Sequence, residues 1–131
     1  MIYLLDTNAV IGLLNSSSSP LAAAVRRHAP QDIAVSSIVV HELYFGAYKS
    51  ARVDYNLTRL DALQFEVLPF DKEDAMSAGL VRAMPATVGT PIGPYDVLIA
   101  GQARCRGLTL ITSNTGEFSR VAGLRCEDWA A

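Results

Sequence analysis

Apolar residues in this chain fall into short runs cut by polar, glycine and proline residues. The run Ile2-Tyr3-Leu4-Leu5 predicts a buried strand over 2–5, and the spacing after it predicts a helix over about 7–14. Ser16 to Ser19 is the one low-complexity stretch, too short for a domain linker. Ser19 followed by Pro20 has the form of an N-cap and a first-turn proline, opening a helix over 20–28. A strand over 32–36, a helix over about 37–49, a helix near 52–64 and a strand over 66–69 follow. Asp71 with Asp74 then opens a helix over 71–84 in the manner of a loose capping box. Residues 85–93, rich in proline and glycine, read as loop. Pro94 opens a helix to about 106, Gly107 closes it, 108–112 is a strand and a last short strand lies near 123–126.

Strands alternating with helices imply a parallel sheet covered on both faces. The expected architecture is α/β, a three-layer α/β/α sandwich with a central, mainly parallel sheet, over a single domain spanning 1–131. A chain of 131 residues can bury about two-thirds of its unfolded surface, so no disulfide or structural metal is required. Half of the residues are hydrophobic and 18% charged, which excludes intrinsic disorder. No apolar run reaches the roughly 18–20 residues of a membrane span, and the start has no basic leader, so a cytoplasmic protein is expected, with no membrane partner. Cys105 and Cys126 stand outside any metal-ligand spacing and read as reduced, buried thiols. A net charge of −2 argues against non-specific coating of nucleic acid, yet leaves room for a nucleic-acid enzyme with local basic patches. All basic residues except Lys49 and Lys72 are arginines, a bias suited to phosphate or carboxylate recognition.

In open α/β sheets ligands bind outside the carboxyl ends of the strands, so the residues standing there carry the argument. Asp6 directly follows the first strand; a helix cap is its plain alternative. Glu42 shares a helix face with Ile38, Val39 and Phe45, where a carboxylate is costly unless paired or bound to a cation. Alternatively, it sits at the rim of the buried face and reaches water. Asp96 lies in the first turn of its helix, on the face continued by Ile99, Ala100 and Ala103; the helix dipole alone would also favour an acid there. Asn114 follows the strand over 108–112, where a turn residue is equally at home, and Glu117 nearby reads as a solvated loop acid. Three carboxylates and an amide around one sheet edge suggest a hard divalent cation, Mg²⁺ or Mn²⁺, bound through oxygen. Such sites hydrolyse phosphate esters. His28 and His41 lack partners at zinc-ligand spacing.

The segments Tyr3-Leu4-Leu5-Asp6-Thr7-Asn8, Ser36 to Gly46 (Ser-Ser-Ile-Val-Val-His-Glu-Leu-Tyr-Phe-Gly) and Ile92 to Ala100 (Ile-Gly-Pro-Tyr-Asp-Val-Leu-Ile-Ala) resemble the PIN-domain ribonucleases. The nearest subgroup is the VapC-type toxins of bacterial toxin–antitoxin pairs. Leu110 to Phe118 and the ending Gly123 to Trp129 fit the same pattern, so the resemblance covers nearly the whole chain. It implies a PIN-like nuclease domain in which Asp6, Glu42 and Asp96 hold metal and carry catalysis. Asn114 falls where many members carry a fourth acid, which leaves the choice between one and two ions open; Thr7, Asn8 and Thr112 match polar positions that line the family site. The resemblance further implies an Mg²⁺-dependent endoribonuclease, with Mn²⁺ substituting, that leaves a 3′-hydroxyl and a 5′-phosphate. Its partners would be RNA, a second copy in a homodimer and a small antitoxin lying over apolar helix residues such as Val40, Leu43, Tyr44 and Ala47. Residues 83–91 depart from the usual toxin pattern, and no motif specifies which RNA is cut.

Two other enzyme or signalling classes fit less well. A haloacid-dehalogenase-type phosphatase would carry a second Asp where Asn8 stands, and a receiver-like domain would carry a Lys where Ser113 and Asn114 stand. A non-catalytic module on the same fold remains the alternative of a different kind; the presence of all three acids argues against it.

Overall fold

The computed structural model describes residues 1–130. Five strands form its sheet: β1 (Tyr3–Leu5), β2 (Ile33–Ser36), β3 (Glu66–Leu68), β4 (Thr109–Ile111) and β5 (Arg125–Glu127). Their order is β3-β2-β1-β4-β5 and every neighbouring pair is parallel. β1 is central, with Tyr3 in register with Ile33 on one side and Thr109 on the other. All residues of β2 and β4 are buried, as a sheet covered on both faces requires. Leu4, Leu5, Ala34 and Leu110 are fully buried at its centre, which explains why these strands read as continuous apolar runs rather than alternating ones. The expected three-layer α/β/α arrangement is the observed one, with the sheet wholly parallel.

The helices are α1 (Thr7–Asn15), α2 (Pro20–Arg26), α3 (Ser37–Lys49), α4 (Val53–Asp61), α5 (Lys72–Ala83), α6 (Pro85–Gly89), α7 (Asp96–Arg106) and α8 (Thr115–Phe118). Their caps are those the sequence advertises. Ser19 Oγ accepts from the Ala22 N–H at 3.1 Å, with Pro20 in the first turn. Asp71 and Asp74 form a reciprocal capping box, each carboxylate accepting from the other's backbone N–H at 3.0 Å. Gly107 ends α7 at φ 66, a left-handed position that suits glycine. No helix among the described residues is long and apolar enough to cross a membrane.

The structure corrects several expectations. Residues 85–93 are not all loop. Pro85, following an extended Met84, sets the first turn of α6, whose Thr87 and Val88 N–H groups both reach Met84 O at 2.9 Å. Pro94 and Tyr95 form a turn, so α7 begins at Asp96. The short α8 and a 3₁₀ turn over Pro30–Asp32 were not expected, and the last strand lies at 125–127, after Gly123 turns the chain at φ 81. Both cysteines are free, but neither is fully buried: Cys105 is exposed, on the solvent side of α7, and Cys126, on the edge strand β5, is half-buried.

Candidate active site

The chain runs outward from β1 in two directions, to β2 and β3 on one side and to β4 and β5 on the other. The carboxyl ends of β1 and β4 therefore open a crevice, the place where open α/β sheets bind ligands. Asp6 stands at that crevice as the N-cap of α1, 3% exposed, with Oδ1 accepting from the Ala9 N–H at 2.8 Å. Its backbone N–H donates to Ile111 O of β4 at 3.1 Å, which fixes it against the neighbouring strand end. Burial pushes its carboxyl above the ordinary value, although the Thr112 hydroxyl and the Ala9 N–H pull the other way; the charge of Asp128 adds to the rise. So Asp6 caps α1 while its carboxyl stands at the crevice.

Glu42 comes from the second turn of α3 and is half-buried. Thr7 Oγ1 donates to its Oε1 at 2.8 Å, tying the start of α1 to α3 across the crevice. Its helix face is a rim, not a core: Val39 is fully buried, but Phe45 is 60% exposed. Asp96, in the first turn of α7, sits where the fully buried Ile99, Ala100 and Ala103 anchor the same face. Its carboxyl is pushed up to about 6, first by burial and then by the negative charges of Glu42, Asp6 and Glu117. Among the described residues no Lys or Arg pairs with Asp6, Glu42 or Asp96.

Glu117 is the residue that sequence reasoning misplaced. It is not a solvated loop acid: Oε1 accepts from the Gly93 N–H at 3.3 Å, Oε2 accepts from Asn114 Nδ2, and its charge reaches Asp96. The signal was the three-residue spacing from Asn114, which one helical turn converts into adjacency. Asn114 itself is exposed, its amide engaged with Glu117 and its backbone N–H bonded to Thr112 Oγ1 at 3.0 Å. Thr112 is 1% exposed and its hydroxyl bonds the Asp6 carboxylate, whereas Asn8, in the first turn of α1, is exposed. A Cβ at Gly93 would stand 3.3 Å from Asp96 Oδ2, so any side chain there would press the carboxylate aside by a few tenths of an ångström. The His41 ring, exposed on α3, lies 5.4 Å from that of Tyr95 and makes no hydrogen bond to an acid among the described residues.

Among the described residues no three of these acids converge on one point as a ready-made ion cage. The donor set is nonetheless all oxygen, and the like charges that raise Asp96 have no internal cation to offset them. That chemistry fits a hard divalent ion, which would draw the carboxylates together.

Comparison with known proteins converges on one family. A model of the PIN domain matches residues 3–124. The tRNA(fMet)-specific endonuclease VapC of Shigella flexneri is similar at 40% identity over 98% of each chain. The Ribonuclease VapC2 of Haemophilus influenzae is similar at 35% identity over 97% of each. Among solved structures, DNA-bound VapBC from Salmonella typhimurium superposes with a TM-score of 0.92 at 37% identity over 98% of each chain. VapBC-1 from nontypeable Haemophilus influenzae superposes with a TM-score of 0.88 at 30% identity over the whole of both.

Proposed function

Because this chain belongs to the PIN-domain family and to its VapC branch, we propose that it is a divalent-metal-dependent endoribonuclease, the toxin of a toxin–antitoxin pair. The observation that supports the chemistry is the uncompensated acid cluster at the β1/β4 crevice, with Asp96 held up at about 6. Asp6, Glu42 and Asp96 would hold Mg²⁺, or Mn²⁺ in its place, and Glu117 is a further carboxylate whose charge reaches Asp96. Such an ion, when bound, makes an attacking water more acidic and draws charge from the phosphate oxygens.

The rest is preparation by the chain itself. The Thr7 hydroxyl fixes Glu42, while the Ala9 N–H and Thr112 hydroxyl fix Asp6. Glu117 bridges Asn114 and Gly93, which holds the segment carrying Asp96 against the end of β4. These contacts restrict carboxylates that would otherwise drift apart by repulsion, and orientation of this kind is a large part of what a hydrolytic site contributes.

The toxin role brings a small antitoxin and a homodimer. Val40, Leu43, Tyr44 and Ala47 line two adjoining grooves of about 210 and 230 Å³ between α1, α3 and α4. Glu42 lines the first of them, so a segment lying there comes within reach of the acids. An arginine on that segment would supply the missing cation, since its fork matches a carboxylate in a bidentate way. The test is incubation of purified protein with cellular RNA in Mg²⁺, in Mn²⁺ and in EDTA, with new 5′ ends sequenced. Metal-dependent cuts bearing 5′-phosphates are expected. Cutting undiminished by EDTA would overturn the metal assignment, and release of phosphate from a simple monoester without RNA cleavage would overturn the nuclease.

A further inference from the structure

The segment between α5 and α7 encloses a cavity that none of the site chemistry above uses. It measures about 310 Å³ and lies beneath α6, walled by Val88, Pro91, Ile92 and Pro94, with Arg82 and Thr87 as its polar members. Three features make it more than a packing gap. Thr87 is 3% exposed, yet its hydroxyl has no hydrogen-bond partner among the described residues. A buried polar group left in that state calls for an explanation, and an absent ligand or water is a usual one. Arg82 is exposed and forms no hydrogen bond or ion pair among the described residues, so its guanidinium is free to meet an anion. The roof is fastened from outside: Arg120 Nη1 donates to Thr90 O at 2.8 Å and to Ala86 O at 3.2 Å.

The cavity also adjoins the acid crevice. Ile92 and Pro94 flank Gly93, whose N–H is held by Glu117 and whose Cα faces Asp96 Oδ2. One thin wall thus separates the two spaces. The volume is at the lower end of the roughly 300–1,000 Å³ typical of ligand pockets, enough for a single flat group. Two prolines, two valines (Val88 and Val97) and an isoleucine offer it apolar faces; Thr87 offers one polar contact, and Arg82 offers a charge at the mouth.

We propose that this cavity is a nucleotide subsite of the RNA: it takes the base of one nucleotide beside the cleaved bond, with Arg82 on the adjoining phosphate and the Thr87 hydroxyl on the base edge. It rests on the ribonuclease reading and adds to it where the enzyme reads sequence. Single-stranded RNA presents splayed bases that stack on flat side chains and hydrogen-bond by their edges, which is what such a pocket can read. Arginine suits the phosphate because its planar fork meets two oxygens at once.

The test measures binding apart from cutting. A short fluorescein-labelled single-stranded RNA of mixed sequence is titrated with protein in Ca²⁺, over a range of salt, and read by anisotropy. Arg82→Gln should weaken binding about tenfold and lower the salt slope by about one, as loss of one phosphate contact does. Arg82→Lys should keep that slope. Val88→Trp, at a position 65% exposed and so tolerant of bulk, should weaken binding with the slope unchanged, and should shift the nucleotide preferred beside the cut in cellular RNA. If Arg82→Gln and Val88→Trp, both folded by circular dichroism, bind as the wild type does, the subsite is wrong. Wild-type cleavage of the same RNA in Mg²⁺ reports separately on the nuclease. A protein that cuts while its variants bind normally loses only this subsite. One that binds through the cavity but never cuts loses only the nuclease.

Discussion

Asp96 shows at the scale of one residue what the site does to its own acids. Its carboxyl is raised to about 6 by burial and by three like charges, so ionising it at neutral pH works against folding. The raised value fixes the sign: the stability it contributes is full below about 3.8 and is lost as pH climbs through about 6. Metal-free protein in EDTA should therefore be more stable at pH 5 than at pH 7, by on the order of 1 kcal/mol after screening, measured by thermal unfolding. Asp96→Asn should remove that step and abolish RNA cleavage while the fold survives; a folded variant that still cuts would take Asp96 out of the site. Glu117→Gln should bring the Asp96 titration down, followed by carboxyl NMR in EDTA, because it removes one of the three charges. An unmoved titration would mean that Glu117 does not face Asp96. Asp6, Glu42 and Asp96 were legible because each stands at a strand end or on a helix turn whose start the sequence announces. Glu117 was not, since its importance depends on Gly93, a backbone N–H 24 residues away in the chain.

Among the elements, α7 matters most, because it carries Asp96 at one end and is tied down along its length. At its far end Arg106 holds Asp74 of α5 at 2.9 Å and Pro69 O at 2.9 Å, and the fully buried Gln102 donates to Asp74 Oδ2 at 3.1 Å. Burial raises the Asp74 carboxyl, but the bonds from Arg106, the Asp71 N–H and Gln102 outweigh it and hold it below the ordinary value. This contribution is present above about 3.8 and fades as pH falls through the lowered folded value, so it works in the opposite sense to Asp96. Asp74→Ala should cost roughly 2–4 kcal/mol in denaturant unfolding, since it removes the carboxylate that pairs Arg106 and leaves Pro69 O as the acceptor that Arg106 and Gln102 must share. Halfway along, Gly101 lies against Ala78: a Cβ there would stand 2.4 Å from Ala78 Cα. Gly101→Ala should thus push α5 and α7 apart, destabilise by about 1–3 kcal/mol and lower RNA cleavage; stability equal to wild type would show that the helices can part freely. The helices that sequence reasoning located well, α3 and α5, have caps on both sides and apolar periodicity. It missed α6 and α8, which span five and four residues, too few to show a period, and which hold their shape through Arg120 and Asn114 rather than through local preference.

For the whole molecule, the grooves beside Glu42 predict how inhibition works. If an antitoxin arginine enters the acid cluster, the purified complex should hold less divalent metal than free toxin at equal free Mg²⁺, and full occupancy in the inhibited complex would count against it. The sheet order has a different kind of consequence, one of timing. The central strand, β1, is made first, but its partner β4 lies at 109–111, and the crevice exists only once these two have paired. Asp6 must wait for Thr112, Asn114 and Glu117, more than 100 residues downstream. At the roughly 5–20 residues per second of translation, that delay is on the order of ten seconds. A nascent chain that has already displayed Asp6, Glu42 and Asp96 still lacks the strand end against which they are aligned. The ribosome making this enzyme is itself built of RNA, and the parallel topology keeps the blade unassembled until the chain is nearly complete.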